Sequence, residues 1–154
     1  MFSTIYKNKV KLFIKYTYID YLKGVCVMDC VFCEIANFDP KKQILRRYKK
    51  IDLFQVCDVI VFEPLNPCVN GHLLFVPDLH IENIGDMGFV AGDVIGSVFK
   101  AINMYLKENQ IECNVITNNG DDADQTVFHI HAHVVPRTIG DDVKLPWSNN
   151  KKNI

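Results

Sequence analysis

The pattern of apolar and polar positions divides most of the chain into short strands and one long helix. Apolar runs at Asp58–Glu63 and His72–Val76 are each followed by proline and joined by a turn-rich segment, which predicts an antiparallel pair. In Phe89–Leu106 apolar residues recur at steps of three and four, the pattern of an amphipathic helix. Glu112–Thr117 and Thr126–Val135 are predicted as two further strands. This order predicts an α+β domain with an antiparallel sheet and one main helix.

The two ends of the chain differ from this central domain, which we place at residues 28–147. The segment 1–27 is rich in lysine and aromatic residues, but Lys15 and Asp20 interrupt its apolar stretch, so it does not fit a secretory signal. We interpret it as a peripheral N-terminal extension, with a basic surface anchor as the alternative. Residues 148–154 form a polar C-terminal tail.

Length, charge and cysteine content narrow the class of protein. A chain of 154 residues has the length of a single domain. Its net charge of −1 disfavours a nucleic-acid polymer or an anionic membrane as partner, while a small anionic ligand remains open. No apolar run reaches the roughly 18 residues of a membrane span. Of the six cysteines only Cys30 and Cys33 form a close pair, which indicates a reducing compartment, the cytoplasm.

The last predicted strand carries three histidines, His129, His131 and His133, at alternate positions. Alternate side chains of a strand point to the same face, so the imidazoles would share one face over roughly 13 Å, at about 3.3 Å per residue. The apolar residues between them would pack on the core. Packing alone explains three such imidazoles poorly, because each must find polar partners or change its protonation. The pattern therefore indicates a site for chemistry.

These residues resemble the signature of the histidine-triad (HIT) family, and in particular of its zinc-binding nucleotide hydrolases. Further similarities run from about Met28 to Trp147: Cys30-Val31-Phe32-Cys33-Glu34-Ile35, Asn66-Pro67, Gly71-His72, Phe75-Val76-Pro77, His80-Ile81-Glu82-Asn83, Asn118, Gln125-Thr126-Val127-Phe128 and Leu145-Pro146-Trp147. The combination is specific, although each piece alone would be weak. The resemblance implies a HIT-like fold whose antiparallel sheet extends across a homodimer.

The resemblance also implies a hydrolase or nucleotidyl transferase that cleaves a phosphoramidate or phosphoanhydride bond at the α-phosphorus of a nucleotide. In the family the middle histidine attacks phosphorus, which makes His131 the nucleophile and a covalent nucleotidyl-imidazole the intermediate. A neutral imidazole suits this role at pH 7 because its unperturbed pKa is about 6.5. His133 would hold a phosphoryl oxygen. The implied substrate-binding residues are Asn66, His72, Asn118, Gln125 and Thr126, with His72 as a supporting residue.

Cys30 and Cys33 form a C-x-x-C pair, which can be a redox motif, half of a metal site or two buried thiols. No βαβ pattern surrounds the pair, so a thioredoxin-like motif is weakly supported. We reject a redox protein because it would make the face of three histidines incidental. Zinc takes four ligands in a tetrahedral array, so histidines would have to complete the site. The zinc-binding branches of the family imply His80 and His129, and hence a structural zinc with a closed ligand shell. Two ordinary thiols beside a surface His80 remain the alternative.

One departure from the family pattern lies in the loop before the histidines. Asp124 stands where many family members carry glycine, whose backbone can approach phosphate closely. With Asp121 and Asp122 it forms either a solvated turn or a site for a divalent cation beside the nucleotide.

A second departure is Pro64, which stands where many relatives carry an acid for the ribose hydroxyls, a role open to Glu63 or Asn66. Both departures favour a rival function, a zinc-stabilised nucleotide-binding module with little or no turnover. The intact His131 and His133 favour the enzyme.

Overall fold

The computed structural model describes residues 29–39, 41–50, 55–86, 88 and 90–145. Within them the chain forms α1 (Val31–Phe38), β1 (Arg46–Tyr48), β2 (Val59–Phe62), β3 (Leu73–Pro77), α2 (Ala91–Asn109), β4 (Cys113–Ile116), a 3-10 helix (Asp121–Ala123) and β5 (Ala132–Pro136). The predicted extension 1–27, the tail 148–154, Met28, Pro146 and Trp147 lie outside the described residues. No helix in the described ranges is both long and apolar enough to cross a membrane.

The five strands form one antiparallel sheet in the order β1-β2-β3-β5-β4. The predicted pair is a hairpin of β2 and β3, with Ile60 opposite Val76. The predicted α+β class and antiparallel sheet are confirmed. Strand β4 lies at one edge of the sheet and, among the described strands, pairs with β5 alone.

Both faces of the central strands are buried, which is why their sequences are continuously apolar rather than alternating. Val61 and Phe75 belong to the core between the sheet and α2, together with Val98 and Ile102 of the helix. The intervening residues of β2 and β3 pack on the other face against α1. On β5 Ala132 and Val134 belong to the core on the α2 side, so the alternation of the strand places His133 on the α1 face.

The main helix agrees with the prediction in type and differs at its ends. It runs from Ala91 to Asn109, three residues beyond the predicted C-terminus at Leu106. It ends where Gln110 adopts a left-handed conformation and donates its N–H to the carbonyl of Leu106. Phe89, the predicted first residue, lies outside the described residues. The predicted strands corresponding to β2, β3 and β4 agree with the structure to within one residue at each end.

The strand predicted over Thr126–Val135 is wrong in its first half. Only Ala132–Pro136 forms β5, and residues 126–131 lead into it without regular structure. There Ile130 donates its N–H to the carbonyl of Ile81 (2.7 Å), in the loop that follows β3, instead of to a strand of the sheet. His133 therefore lies on a strand, while the other two histidines lie in the segment before it.

Two elements have no counterpart in the predicted order of strands and helix. Helix α1 buries Phe32, Cys33, Ile35 and Ala36, which form its inner face against the sheet. Strand β1 has the sequence Arg-Arg-Tyr and buries only its tyrosine. These additions extend the predicted four-stranded sheet to five strands and give it a helix on each face.

Candidate active site and metal centre

The imidazoles of His129, His131 and His133 lie next to one another on the face of the sheet that α1 covers. The ring centroids of His131 and His133 are 5.0 Å apart. The ring of Phe32 lies edge-on against His129 (5.9 Å) and His131 (5.1 Å). His129 is fully buried and His131 is 6% exposed, whereas His133 is only partly buried. The structure thus brings the three predicted histidines together, and their exposure to solvent increases from His129 to His133.

Backbone carbonyls select opposite tautomers for His129 and His131. A carbonyl oxygen only accepts hydrogen bonds, so the ring nitrogen that faces it must carry the proton. His131 donates from Nδ1 to the carbonyl of His129 (2.8 Å), which leaves its Nε2 unprotonated. His129 donates from Nε2 to the carbonyl of Pro77 (2.9 Å), which leaves its Nδ1 unprotonated and facing the cysteines. The ring of His131 is therefore arranged to attack an electrophile, and the ring of His129 to bind a metal.

A second chain of hydrogen bonds sets the proton positions of His72 and His133. The N–H of Cys68 donates to Nδ1 of His72 (3.2 Å), so the proton of His72 lies on Nε2. This Nε2 is 2.9 Å from Nδ1 of His133 and donates to it. His133 must then carry its own proton on Nε2. The His133 side chain is therefore a hydrogen-bond donor at Nε2. A group that binds a phosphoryl oxygen must be a donor, because this oxygen only accepts.

This arrangement has a consequence for stability at acid pH. Burial lowers the pKa of His133 to about 4, with a further lowering by His131 and His72. In the unfolded chain a histidine titrates near about 6.5, so between these pH values the unfolded state binds a proton that the folded state does not. We expect the free energy of unfolding to decrease as the pH is lowered through this range.

Denaturant unfolding at several pH values between about 4 and 7 checks this expectation, with His133→Gln as the control that cannot titrate. The wild-type protein should show a steeper pH dependence than the variant, by about one bound proton. Identical slopes for the two proteins would contradict the assignment. Protonation at the metal ligands affects both proteins alike and cancels in the difference.

Four side chains, Cys30, Cys33, His80 and His129, bring their ligand atoms within 4.8 Å of one another. Sγ of Cys33 lies 3.4 Å from Nδ1 of His80 and 3.6 Å from Nδ1 of His129, and Sγ of Cys30 lies 3.5 Å from Nδ1 of His129. A tetrahedral zinc ion, with bonds of about 2.3 Å to sulfur and about 2.0 Å to nitrogen, places such ligand atoms about 3.5 Å apart. The donor set and its spacing fit zinc.

Local structure explains how the two cysteines reach this position. Cys30 occupies the N-cap position of α1, and Cys33 lies in the first turn of this helix. The helix dipole favours negative charge there. Burial raises the pKa of the Cys30 thiol, but the neighbouring His129 and His80 and the backbone N–H of Cys33 outweigh this effect and lower the pKa to about 5. Thiolate is the form that binds metals.

The predicted substrate-binding residues lie in two different environments. Asn118 donates one amide N–H to the carbonyl of Asp124 (3.1 Å), and its second N–H has no partner among the described residues. Thr126 is exposed and makes no hydrogen bond to another described residue. Asn66 is likewise exposed, in the turn between β2 and β3. Gln125, by contrast, is 2% exposed and bonded within the protein.

The three aspartates of the same loop do not assemble a metal site. Asp121, Asp122 and Asp124 are exposed, and among the described residues the one group of metal-binding type is the Cys and His set. The structure therefore does not support the divalent cation suggested beside the nucleotide. Asp124 adopts a left-handed backbone with φ 60°, which explains why glycine also suits this position.

Several groups that shape the site are not among the predicted residues. The carbonyl of Pro77 and the N–H of Cys68 belong to the backbone, and backbone contacts cannot be predicted from the residue type. Phe32 packs against two histidines from within the C-x-x-C pair. Its position between two candidate ligands is the one signal that could have indicated it.

Comparison with known proteins agrees with this geometry. The family model described as HIT domain matches residues 48–139. Protein hit of Bacillus subtilis is 30% identical over 129 residues, 81% of this chain and 83% of the relative. Adenosine 5'-monophosphoramidase hnt1 of Schizosaccharomyces pombe is 28% identical over 111 residues, 71% of this chain and 75% of the relative.

Solved structures show the same relationship. A Zn-bound histidine triad family protein from Mycobacterium smegmatis superposes with a TM-score of 0.57 at 30% identity, covering 77% of this chain and 81% of that one. A HIT family hydrolase from Clostridium thermocellum gives a TM-score of 0.55 at 27% identity, covering 77% and 96%. The class is thus that of the histidine-triad proteins. It is defined here by the antiparallel sheet, the row of histidines and the cluster of cysteines and histidines. The chain belongs to the HIT family.

Proposed function

We propose that this protein hydrolyses a nucleoside phosphate derivative at its α-phosphorus, with His131 as the nucleophile. The observation that carries the proposal is the hydrogen bond from Nδ1 of His131 to the carbonyl of His129, 2.8 Å long. It holds the ring in the tautomer whose Nε2 has a free electron pair. Burial lowers the pKa of His131, so the ring is neutral at pH 7.

The reaction has two steps. First, Nε2 of His131 forms a bond to phosphorus while the bond to the leaving group breaks, and the leaving group keeps the electron pair and takes a proton from solvent. Second, a water oxygen attacks phosphorus, the phosphorus–nitrogen bond breaks, His131 regains its electron pair and the water proton passes to solvent. The net reaction is hydrolysis. An acceptor other than water would make the same two steps a nucleotidyl transfer.

Fixed donors would stabilise the charge that develops on the phosphoryl oxygens. Nε2–H of His133 is one such donor, because the hydrogen bond from His72 directs its proton there and its ring lies 5.0 Å from that of His131. The exposed hydroxyl of Thr126 and the second amide N–H of Asn118 add two neutral donors. Donors placed before the reaction stabilise a transition state at little reorganisation cost. We assign the exposed Asn66 to the nucleoside.

The bond that is broken is a phosphoramidate or a phosphoanhydride. The name of the S. pombe relative, a monophosphoramidase, favours the phosphoramidate. A net charge of −1 agrees with a mononucleotide derivative as substrate, since a few local donors can hold a small anion without a strongly basic surface.

Zinc is the metal that we assign to Cys30, Cys33, His80 and His129. All four positions of a tetrahedral shell come from the protein, so the ion would be structural rather than a Lewis acid for the substrate. It would hold His129, whose carbonyl accepts the hydrogen bond from His131. Zinc thereby supports the nucleophile without taking part in the reaction.

The test is a panel of nucleoside phosphoramidates and dinucleoside polyphosphates, scored by release of the mononucleotide. Hydrolysis of the phosphoramidates, with a nucleotidyl adduct on His131 after quenching in alkaline denaturant, is the expected result. Binding of the mononucleotide without release from any substrate would instead identify the rival function, a nucleotide-binding module.

We also propose that the protein is a homodimer in which β4 continues the sheet into a second copy. Strand β4 is an edge strand with an exposed Val115, and an open edge is a template for pairing. Val115→Lys is expected to shift the mass in light scattering from dimer to monomer, because pairing of the two edge strands would bring a charged side chain into the interface. Leu45→Lys, next to the opposite edge, is the control and should remain dimeric. A monomeric wild-type protein would exclude the dimer.

A further inference from the structure

Both amide N–H groups of the buried Gln125 are used inside the protein. Its Nε2 donates to the carbonyls of Glu82 (2.7 Å) and Val127 (3.2 Å). Its Oε1 accepts from the N–H of Gly120 (2.9 Å). A glutamine amide has only two N–H donors, so none is left for a phosphoryl oxygen, which can only accept. This geometry does not fit the direct substrate contact predicted for Gln125 from the sequence.

Gln125 instead joins two segments that each carry a histidine of the metal centre. Glu82 lies two residues after His80, and Val127 lies two residues before His129. The rings of these histidines are 4.8 Å apart at their centroids. The metal centre and the Gln125 amide therefore connect the same two segments at neighbouring points.

Asn119 makes a second connection of the same kind. Its Oδ1 accepts from the N–H of Gly85 (2.9 Å), in the segment that follows His80. A Cβ atom at Gly85 would lie 3.1 Å from this oxygen, so the contact is close. The loop of residues 118–126 is thus attached to the metal-binding segment near both of its ends. Asn118 and Thr126 keep free donors in this loop.

We propose that Gln125 is a positioning residue that couples the metal centre to the loop of residues 118–126, and that it makes no contact with substrate. The identification of this loop as phosphate-binding rests on the function proposed above. Removing the amide would leave three backbone groups without their partner, and buried groups without partners are costly. The loop would then lose the fixed conformation that orients its donors. Because coupling is reciprocal, the metal centre would be weakened as well.

The first experiment needs no substrate. Zinc-loaded Gln125→Leu should release zinc to a chelator about tenfold faster than wild type, as expected for a buried hydrogen bond lost. The Gly85 N–H, which Gln125 does not contact, should exchange faster with deuterium. Thr126→Val is the matched control in the same loop and should change neither rate, because its hydroxyl has no partner in the described protein. Unchanged zinc release and Gly85 exchange in Gln125→Leu would overturn the proposal.

The second experiment separates positioning from binding. Gln125→Leu should lower kcat by about tenfold while the mononucleotide Kd stays within about threefold of wild type. Thr126→Val should instead raise the Kd. A large rise in Kd for Gln125→Leu, with normal zinc release, would make Gln125 a substrate ligand and overturn the proposal.

Two milder variants cover the case in which Gln125→Leu does not fold. Gln125→Glu keeps the volume and the acceptor for Gly120 but loses both donors, and should also release zinc faster. Asn119→Ala removes the second connection at an exposed residue and should accelerate release less strongly. Wild-type release rates in both variants would contradict the coupling. Because zinc release and exchange are read without substrate, they remain decisive even if no nucleotide is hydrolysed.

Discussion

Replacing His131 with alanine is expected to lower turnover by about 10⁴-fold or more, while affinity for the mononucleotide falls by less than about tenfold. The nucleophile forms its bond to phosphorus only along the reaction path, so its loss removes the covalent step. The surrounding donors, Nε2–H of His133 among them, bind the ground state as well and remain in place. Single-turnover kinetics and calorimetric titration with the mononucleotide measure the two quantities separately.

Thr126→Val is the matched control for this prediction. It removes a donor rather than the nucleophile, so it should weaken binding and still give the adduct on His131 after quenching in alkaline denaturant. Mass spectrometry of the peptide that contains His131 reads the adduct directly. Near-normal turnover in His131→Ala, or an adduct on another residue of that variant, would end the covalent-histidine mechanism.

Much of the sheet and the histidine row follows from local pattern. The hairpin of β2 and β3 is predictable because two β-branched runs are separated by a segment rich in proline, asparagine and glycine. The histidine row is predictable because period two is specific for one face of an extended chain. His129 and His131 both contact the ring of Phe32 even though their segment is not a regular strand.

Other parts depend on contacts between distant segments and have no local signal. Helix α1 spans eight residues, too few turns for a helical period to be distinctive. Residues 126–131 have the composition of a strand, but the loop after β3 occupies the place of a partner. Gln125 is the clearest case, because its residue type suits a phosphate contact, and only its three backbone partners point to the positioning role proposed above.

The second large effect concerns the metal. We expect protein purified without added metal to contain about one zinc per chain, and Cys33→Ser to lose it. Cys33 is fully buried and its sulfur approaches both histidines, so no water can easily replace it. The free energy of metal binding contributes to folding, because the site exists only in the folded chain. A loss of about 4 kcal/mol would lower the Tm by roughly 10 °C in a domain of this size.

Elemental analysis and melting curves with and without a chelator measure zinc and stability together. Cys113→Ser is the matched control, since it removes a partly buried thiol remote from the four ligands and should keep the zinc. Turnover of Cys33→Ser should fall as a secondary effect. Without the metal, His129 is less firmly held, and the hydrogen bond from Nδ1 of His131 to the His129 carbonyl is weakened. If zinc is absent and chelators leave the melting curve unmoved, the cysteines are packed thiols, and the hydrogen bond from His129 to Pro77 alone must hold the ring.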